Sequence, residues 1–121
     1  MPGVNIVLFR EDDGTVPLLE WLDGLSPQAV AKCHVRLERL REIGHELRRP
    51  EADYLQDGIY ELRVSVRRVQ YRMLYFFHGR TAAVVSHGIV KGRLVPLQEI
   101  ERAVRRKLKF ERNPQEHTHS E

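Results

Sequence analysis

A long segment of this 121-residue sequence carries basic side chains and no acidic ones. No Asp or Glu occurs between Leu62 and Gln98, although the whole chain has 17 acidic residues against 20 lysines and arginines. The cations of this segment are Arg63, Arg67, Arg68, Arg72, Arg80, Lys91 and Arg93. A surface of one sign attracts phosphate groups, and arginine, which outnumbers lysine sixteen to four, can grip a phosphate through two nitrogens. The plainer interpretation is a solvated basic surface balanced by acidic residues elsewhere.

Two of these arginines are predicted to face each other across a β-hairpin. If two strands turn at Arg67-Arg68, cross-strand partners have residue numbers that sum to 135. One face then pairs only apolar or aromatic residues, which are Tyr60 with Tyr75, Leu62 with Met73, Val64 with Tyr71 and Val66 with Val69. The other face sets Arg63 opposite Arg72, and two like charges in that position repel. A phosphate bound by both guanidinium groups would remove the repulsion, and so would pairing with Glu61.

The position of a candidate proton-transfer group depends on the length of the next turn. A two-residue turn at Gly79-Arg80 would set His87 opposite Arg72, in one row with the arginine pair. A three-residue loop would instead turn His87 toward the face that the helices cover. Lys91 and Arg93 follow this strand closely and could reach the same face on long side chains.

This set of residues favours RNA cleavage without a metal ion. Two-metal nucleases need clustered carboxylates, and these strands offer only Glu61. RNA carries its own nucleophile, the 2′-hydroxyl, and needs only a base, an acid and cations near the phosphate. The expected products end in a 2′,3′-cyclic phosphate and a 5′-hydroxyl, and no metal or cofactor is expected. His117 and His119 could chelate a metal weakly, but a solvated tail is the favoured interpretation of that region.

The elements that would position these residues follow from the apolar spacing. We expect a strand over 4–9, a helix capped by Thr15, a second helix from Ser26-Pro27 to Gly44, and a loop over 45–58. Three strands over 59–66, 69–78 and 81–90 should follow. Pro96 should open a last helix, with Leu97, Ile100, Val104 and Leu108 on its buried face.

This order, β-α-α-β-β-β-α, predicts an α+β fold with an antiparallel sheet of about four strands. The helices should cover one face of that sheet and leave the other free for a ligand. We expect a single domain over 1–112 and a flexible polar tail over 113–121. The single cysteine, Cys33, and the short apolar runs indicate a cytoplasmic protein without an internal disulfide.

Four blocks of the sequence, taken together, form a recognisable pattern. The blocks are Leu55-Gln-Asp-Gly-Ile-Tyr-Glu-Leu-Arg63, Tyr71-Arg-Met-Leu-Tyr-Phe-Phe77, His87-Gly-Ile-Val-Lys91 and Pro96-Leu-Gln-Glu-Ile-Glu-Arg-Ala103. They resemble the phage-derived RelE/HigB-like toxin family. The resemblance runs in order from about Leu55 to Phe110 and implies the RelE-like fold. It also implies a toxin of a type II toxin–antitoxin system that cleaves messenger RNA, typically on the ribosome. A helix-turn-helix antitoxin would be its partner.

The resemblance also suggests roles for individual residues. It matches Arg63 and Arg72 to the family's arginines of the second and third strands, and Lys91 to its basic cluster, with His87 preceding it. We therefore expect the two arginines to hold the scissile phosphate, and His87 or Lys91 to transfer protons. The expected RNA-binding residues are Arg67, Arg68, Arg80 and Arg93. Where family members often carry two consecutive lysines, this chain has Lys91-Gly92-Arg93 and one residue fewer before the proline.

Two alternatives keep the basic surface and change its use. Gly92 stands where family members often carry a lysine. The protein could therefore be a degenerate toxin that binds its antitoxin or RNA without cleaving RNA. A DNA-binding module is disfavoured because no helix-turn-helix pattern occurs. The aromatic residues Tyr71, Tyr75 and Phe77 could stack on bases, but their period-two spacing on the helix-covered face favours core packing.

Overall fold

The structure is a computed structural model that describes residues 3–90 and 94–120. Within these ranges the chain forms three α-helices and a sheet of six strands, an α+β arrangement as expected. The strands are β1 (Asn5–Phe9), β2 (Ala52–Gln56), β3 (Ile59–Val66), β4 (Val69–His78), β5 (Ala82–Val90) and β6 (Thr118–Ser120). The helices are α1 (Pro17–Asp23), α2 (Pro27–Ile43) and α3 (Leu97–Arg112). No helix in the described ranges is long and apolar enough to span a membrane.

The sheet is mixed, with the strand order β2-β3-β4-β5-β1-β6. β1 runs parallel to β5, and the other neighbours are antiparallel. The expected register between β3 and β4 is confirmed, because Tyr60 pairs with Tyr75 and Val66 with Val69. The strand count of about four was wrong, since β2 and β6 extend the sheet at both edges.

The strand β2 lies where the sequence predicts a loop. Asp57 and Gly58, within the predicted loop, form the hairpin turn to β3 with φ angles of 54° and 82°. Only Ala52 is buried in β2, while Tyr54 is 52% exposed. An edge strand with one buried residue carries little hydrophobic alternation, which is why the sequence pattern did not reveal it.

The structure also differs from the expectation of a flexible tail after residue 112. Residues 118–120 pair with β1, and the backbone N–H of Arg10 donates to the His117 carbonyl at 3.0 Å. The His117 side chain is buried and stacks on Phe9 with ring centroids 5.1 Å apart. The polar composition of this stretch did not indicate that His117 is buried. Backbone pairing of β6 with β1 holds the remaining residues in place.

Helices pack on both faces of the sheet, so the prediction of one uncovered face was wrong. α1 and α2 cover the face of Leu62, Met73 and Tyr75, while α3 covers the apolar part of the other face. The core residues on the α3 side are Phe9, Ile59, Leu74, Phe76, Val84, Ile100, Ala103 and Phe110. Among the described residues, the part of this face toward the β3–β4 turn is more accessible, with Ser65 exposed and Gln70 half-buried.

The helix details correct two expectations. In α3 the buried residues are Ile100, Ala103 and Phe110, whereas Leu97 and Leu108 are 56% and 49% exposed. At α1 the N-cap position is held by Val16 rather than by Thr15. The Thr15 hydroxyl and N–H instead donate to the Asp13 carboxylate, an Asx-type turn that competes with capping. In α2 the Ser26 hydroxyl oxygen accepts from the Ala29 N–H and Gly44 ends the helix with φ of 66°, as expected.

Candidate functional site: an arginine pair beside an open sheet face

The two arginines face each other as predicted, and a carboxylate joins them. Arg63 on β3 is the cross-strand partner of Arg72 on β4. Glu61, two residues before Arg63 on the same face, contacts both side chains. Its Oε2 accepts from Arg63 Nε at 2.8 Å, and its Oε1 lies 2.8 Å from Arg72 Nε. The repulsion between the arginines is therefore relieved within the chain by Glu61.

A second carboxylate reaches the pair from the edge strand. Asp53 on β2 is the cross-strand partner of Glu61, and its Oδ2 lies 3.4 Å from Arg63 Nη2. The same oxygen is 2.7 Å from Arg49 Nη2. The hydrogen bond from Arg49 lowers the pKa of Asp53 below its usual value, and the charge of Arg63 acts in the same direction. Asp53 is thus ionised at neutral pH, and the sequence did not reveal its role because β2 was not recognised as a strand.

Burial separates the two arginines into a structural and an accessible one. The Arg72 side chain is 8% exposed, whereas the Arg63 side chain is 34% exposed. Beside Arg63 lies a concavity of about 320 Å³ at the free edge of β3 beyond β2. Its walls are Arg36, Pro50, Arg63, Val64, Ser65 and Gln70. An anion could therefore approach Arg63 from solvent without unfolding any element.

The turn that follows β3 presents two further arginines in an unusual backbone conformation. Arg67 and Arg68 are exposed and have φ angles of 48° and 74°. Positive φ at both central residues is the geometry of a type I′ hairpin turn, which normally carries Asn-Gly. Non-glycine residues in this region cost roughly 1–2 kcal/mol each. The hairpin thus carries strain at the tip where it displays two cations.

The predicted alignment of His87 with the arginines was wrong. His78 pairs with Ala82, so a three-residue loop joins β4 and β5, and the register shifts again near Ser86. After this bulge His87 lies opposite Leu74, while Arg72 lies opposite Ile89. A β-bulge adds one residue to one strand, and no feature of the sequence marks its position in advance.

His87 is buried under α3 in a hydrogen-bonded network. Its Nδ1 lies 2.7 Å from the Ser86 hydroxyl, and its Nε2 lies 2.9 Å from Glu99 Oε1. Arg106 donates to the Ser86 oxygen at 3.4 Å, and Arg102 lies 3.3 Å from Glu99. Because a carboxylate only accepts, Nε2–H donates to Glu99 and the serine hydroxyl donates to Nδ1.

The surroundings of His87 determine its charge. Burial lowers the pKa of His87 below the usual range of histidine, and the Arg106 and Arg102 cations lower it further. The hydrogen bond to Glu99 opposes these effects. The imidazole is therefore neutral at pH 7, with both ring nitrogens engaged inside the protein.

The family described as Phage derived protein Gp49-like (DUF891) matches residues 20–108 of this chain. This match spans well over half of the 121 residues. The chain belongs to this Gp49-like family. A comparison with curated proteins finds no significant match. The Gp49-like segment contains the arginine pair, the β3–β4 turn and His87, and it ends before β6.

The structure does not bring all the expected residues of this Gp49-like chain together. Arg80 lies in the β4–β5 loop, at the opposite end of β4 from the β3–β4 turn. Eight residues separate it from Arg72, so the two residues lie about 27 Å apart at 3.4 Å per residue. Lys91 and Arg93 lie outside the described residues. The aromatic residues Tyr71, Tyr75 and Phe77 pack in or against the core under α1 and α2, as the period-two spacing favoured.

Proposed function

We propose that this Gp49-like protein is the toxin of a type II toxin–antitoxin pair and cleaves messenger RNA on the open part of the sheet face around Arg63. The observation that carries the proposal is the accessible Arg63, four residues before the exposed cations of the β3–β4 turn, on a segment without acidic residues. Membership of a phage-derived family and the resemblance to RelE/HigB-like toxins support the toxin role.

The proposed chemistry is transphosphorylation by the RNA 2′-hydroxyl. Arg63 contacts the scissile phosphate and stabilises its developing charge, and Arg67 and Arg68 hold the flanking backbone. Arg72, held by Glu61 at 8% exposure, acts mainly by keeping the carboxylate and Arg63 in place. The two carboxylates closest to Arg63, Glu61 and Asp53, each already contact an arginine, which supports a reaction that does not recruit them as metal ligands.

Proton transfer in this proposal has two candidate groups. Lys91, which follows β5 in the sequence and lies outside the described residues, is matched by the resemblance to the family's basic cluster. His87 can act on RNA only after its Nε2–H leaves Glu99, because both ring nitrogens are otherwise engaged. Lys91 is therefore the favoured group, and the network around His87 positions the start of α3.

The proposal includes two partners. The ribosome would deliver messenger RNA to the basic face, and a helix-turn-helix antitoxin would neutralise the toxin by covering it. An acidic antitoxin segment would fit this face, because Arg67 and Arg68 are exposed and the Arg63 side chain is 34% exposed.

Induced expression of the full chain tests the proposal. The wild type should arrest growth and produce cleaved transcripts, whereas Arg63→Ala should grow normally. Arg112→Gln removes one exposed charge from the far end of α3 and is the matched control, which should remain toxic. Circular dichroism of the purified variants verifies folding. Arrest by a folded Arg63→Ala protein, or arrest with intact transcripts, would contradict the proposal.

A second candidate is supported by the way Glu61 neutralises the arginine pair. With a carboxylate already contacting both guanidinium groups, the protein would bind RNA or its antitoxin weakly and not cleave. Harmless induction of soluble wild-type protein, together with RNA binding that Arg63→Ala weakens, would favour this second function.

A further inference from the structure

The C-terminal turn and the loop after β1 bring together three side chains with the chemistry of a metal site. One donor atom from each of Asp12, Glu116 and His117 lies within 4.8 Å of the other two. The sheet face of Arg63 takes no part in this cluster. We propose that these three residues bind a divalent transition-metal ion that fastens the C-terminal strand to β1.

The histidine is fixed in the orientation that a metal ligand requires. His117 is 4% exposed, and its ring stacks on Phe9 at an interplanar angle of 5°. Its Nδ1 lies 2.8 Å from the Arg10 carbonyl oxygen. A carbonyl only accepts, so Nδ1 carries a proton, and Nε2 is the ring nitrogen left to bind a metal ion in the cluster. A backbone carbonyl on the other ring nitrogen is the usual support of a metal-bound histidine.

The Nε2 atom faces a carboxylate without a hydrogen bond to it. The nearest carboxylate oxygen, Asp12 Oδ1, lies 3.7 Å away, which is beyond hydrogen-bond distance. A nitrogen lone pair that faces a carboxylate oxygen is repelled by it, and a cation between the two atoms would remove the repulsion. The 3.7 Å separation fits an ion that binds both atoms at ordinary N and O bond lengths of about 2.0–2.2 Å.

Both carboxylates lie on turns held by backbone hydrogen bonds. Asp12 lies in a loop closed by Glu11 N–H to the Thr15 carbonyl at 2.8 Å. The other turn is closed by His117 N–H to the Pro114 carbonyl at 3.2 Å, and it contains Glu116. Lys109 Nζ lies 3.1 Å from Asp12 Oδ2, which leaves Oδ1 directed at His117. The ligand set is therefore assembled before an ion arrives.

The ligand types define the class of ion. One imidazole and two carboxylates suit Zn²⁺, Mn²⁺, Co²⁺ or Ni²⁺, whereas Ca²⁺ and Mg²⁺ prefer oxygen ligands alone. The Asp12 side chain is 68% exposed, so water can complete the coordination and an ion can enter from solvent. A structural role follows, because the ligands join the N-terminal loop to the C-terminal turn.

Metal titration of the tag-free full chain tests this site. Zn²⁺ is followed by calorimetry, and Co²⁺ by its visible absorption. We expect one ion per chain, a rise in thermal unfolding temperature with Zn²⁺, and affinities weakened at least about tenfold in Asp12→Asn and in Glu116→Gln. Both positions are exposed, so these variants should fold.

His119→Ala is the matched control, since it removes a histidine of the same terminal stretch outside the cluster. Its affinity for Zn²⁺ should equal that of the wild type. The proposal is overturned if neither metal binds, if Asp12→Asn and Glu116→Gln bind as tightly as the wild type, or if His119→Ala abolishes binding. These outcomes leave the proposed RNA cleavage untouched, because that proposal is tested by growth arrest with Arg63→Ala, a residue outside this cluster.

Discussion

Arg63 lies directly opposite Arg72 on neighbouring strands, and the Glu61 carboxylate contacts both guanidinium groups at 2.8 Å. This relationship makes Glu61 both a structural partner of the buried Arg72 and a competitor of any phosphate that approaches Arg63. The same residue should therefore influence stability and RNA binding in opposite directions.

We predict that Glu61→Gln lowers stability and strengthens RNA binding. Loss of one member of a buried ion pair costs about 3 kcal/mol, measured as the free energy of unfolding in urea. RNA affinity, measured by fluorescence anisotropy, should rise because Arg63 no longer neutralises a carboxylate. For each arginine freed for a phosphate, the slope of log affinity against log salt should steepen by about 0.7. Glu46→Gln, at an exposed site outside the sheet, should change neither quantity. Weaker RNA binding by folded Glu61→Gln would contradict the competition.

The strained β3–β4 turn leads to a trade-off between stability and toxicity. Replacing Arg67 by Asn and Arg68 by Gly should stabilise the hairpin by about 1–2 kcal/mol, because this pair suits positive φ at both positions. The same double variant should lose toxicity, since two exposed cations disappear. Replacing both residues by Lys keeps charge and strain, and should retain toxicity. A double Asn-Gly variant that is more stable and equally toxic would remove Arg67 and Arg68 from the RNA surface.

The sequence predicted the strand register correctly where pairs of apolar residues determine it. The register of β3 and β4 followed from aromatic and aliphatic pairs that would scatter between faces after a one-residue slip. The position of His87 depended on a three-residue loop and a bulge at Ser86, which no side-chain pattern marks. Asp53 entered the site through an edge strand with a single buried residue, and hydrophobic alternation cannot reveal such a strand.

Packing of α1 on β5 depends on a glycine that allows close approach. A Cβ atom at Gly88 would overlap the ring of Trp21, so Gly88→Ala must displace the indole or the strand. We predict a loss of about 1–3 kcal/mol in the free energy of unfolding. Gly24→Ala is the matched control, because a Cβ there meets its nearest atom at an ordinary 3.6 Å. Equal stability of the two variants would show that α1 does not pack against Gly88 as described.

The buried His87 should make the protein less stable in mild acid. Because burial lowers its pKa in the folded state, the unfolded chain binds a proton first as the pH falls below about 6.5. Stability contributed by neutral His87 is complete above that pH and declines as the pH drops toward the lowered value. Each unit of difference corresponds to about 1.4 kcal/mol. His87→Gln should show a flatter profile of urea midpoint against pH over this window, and parallel profiles would contradict the lowered pKa.

The chemistry of the cleaved ends tests the central claim most directly. RNA from cells that express the wild-type protein can be ligated to an adaptor with and without prior phosphorylation of its 5′ ends. Attack by the 2′-hydroxyl leaves a 5′-hydroxyl, so the new ends should ligate only after kinase treatment, and should be missing in Arg63→Ala cells. New ends that ligate without kinase carry a 5′-phosphate and would contradict cleavage by the RNA's own hydroxyl at this arginine site.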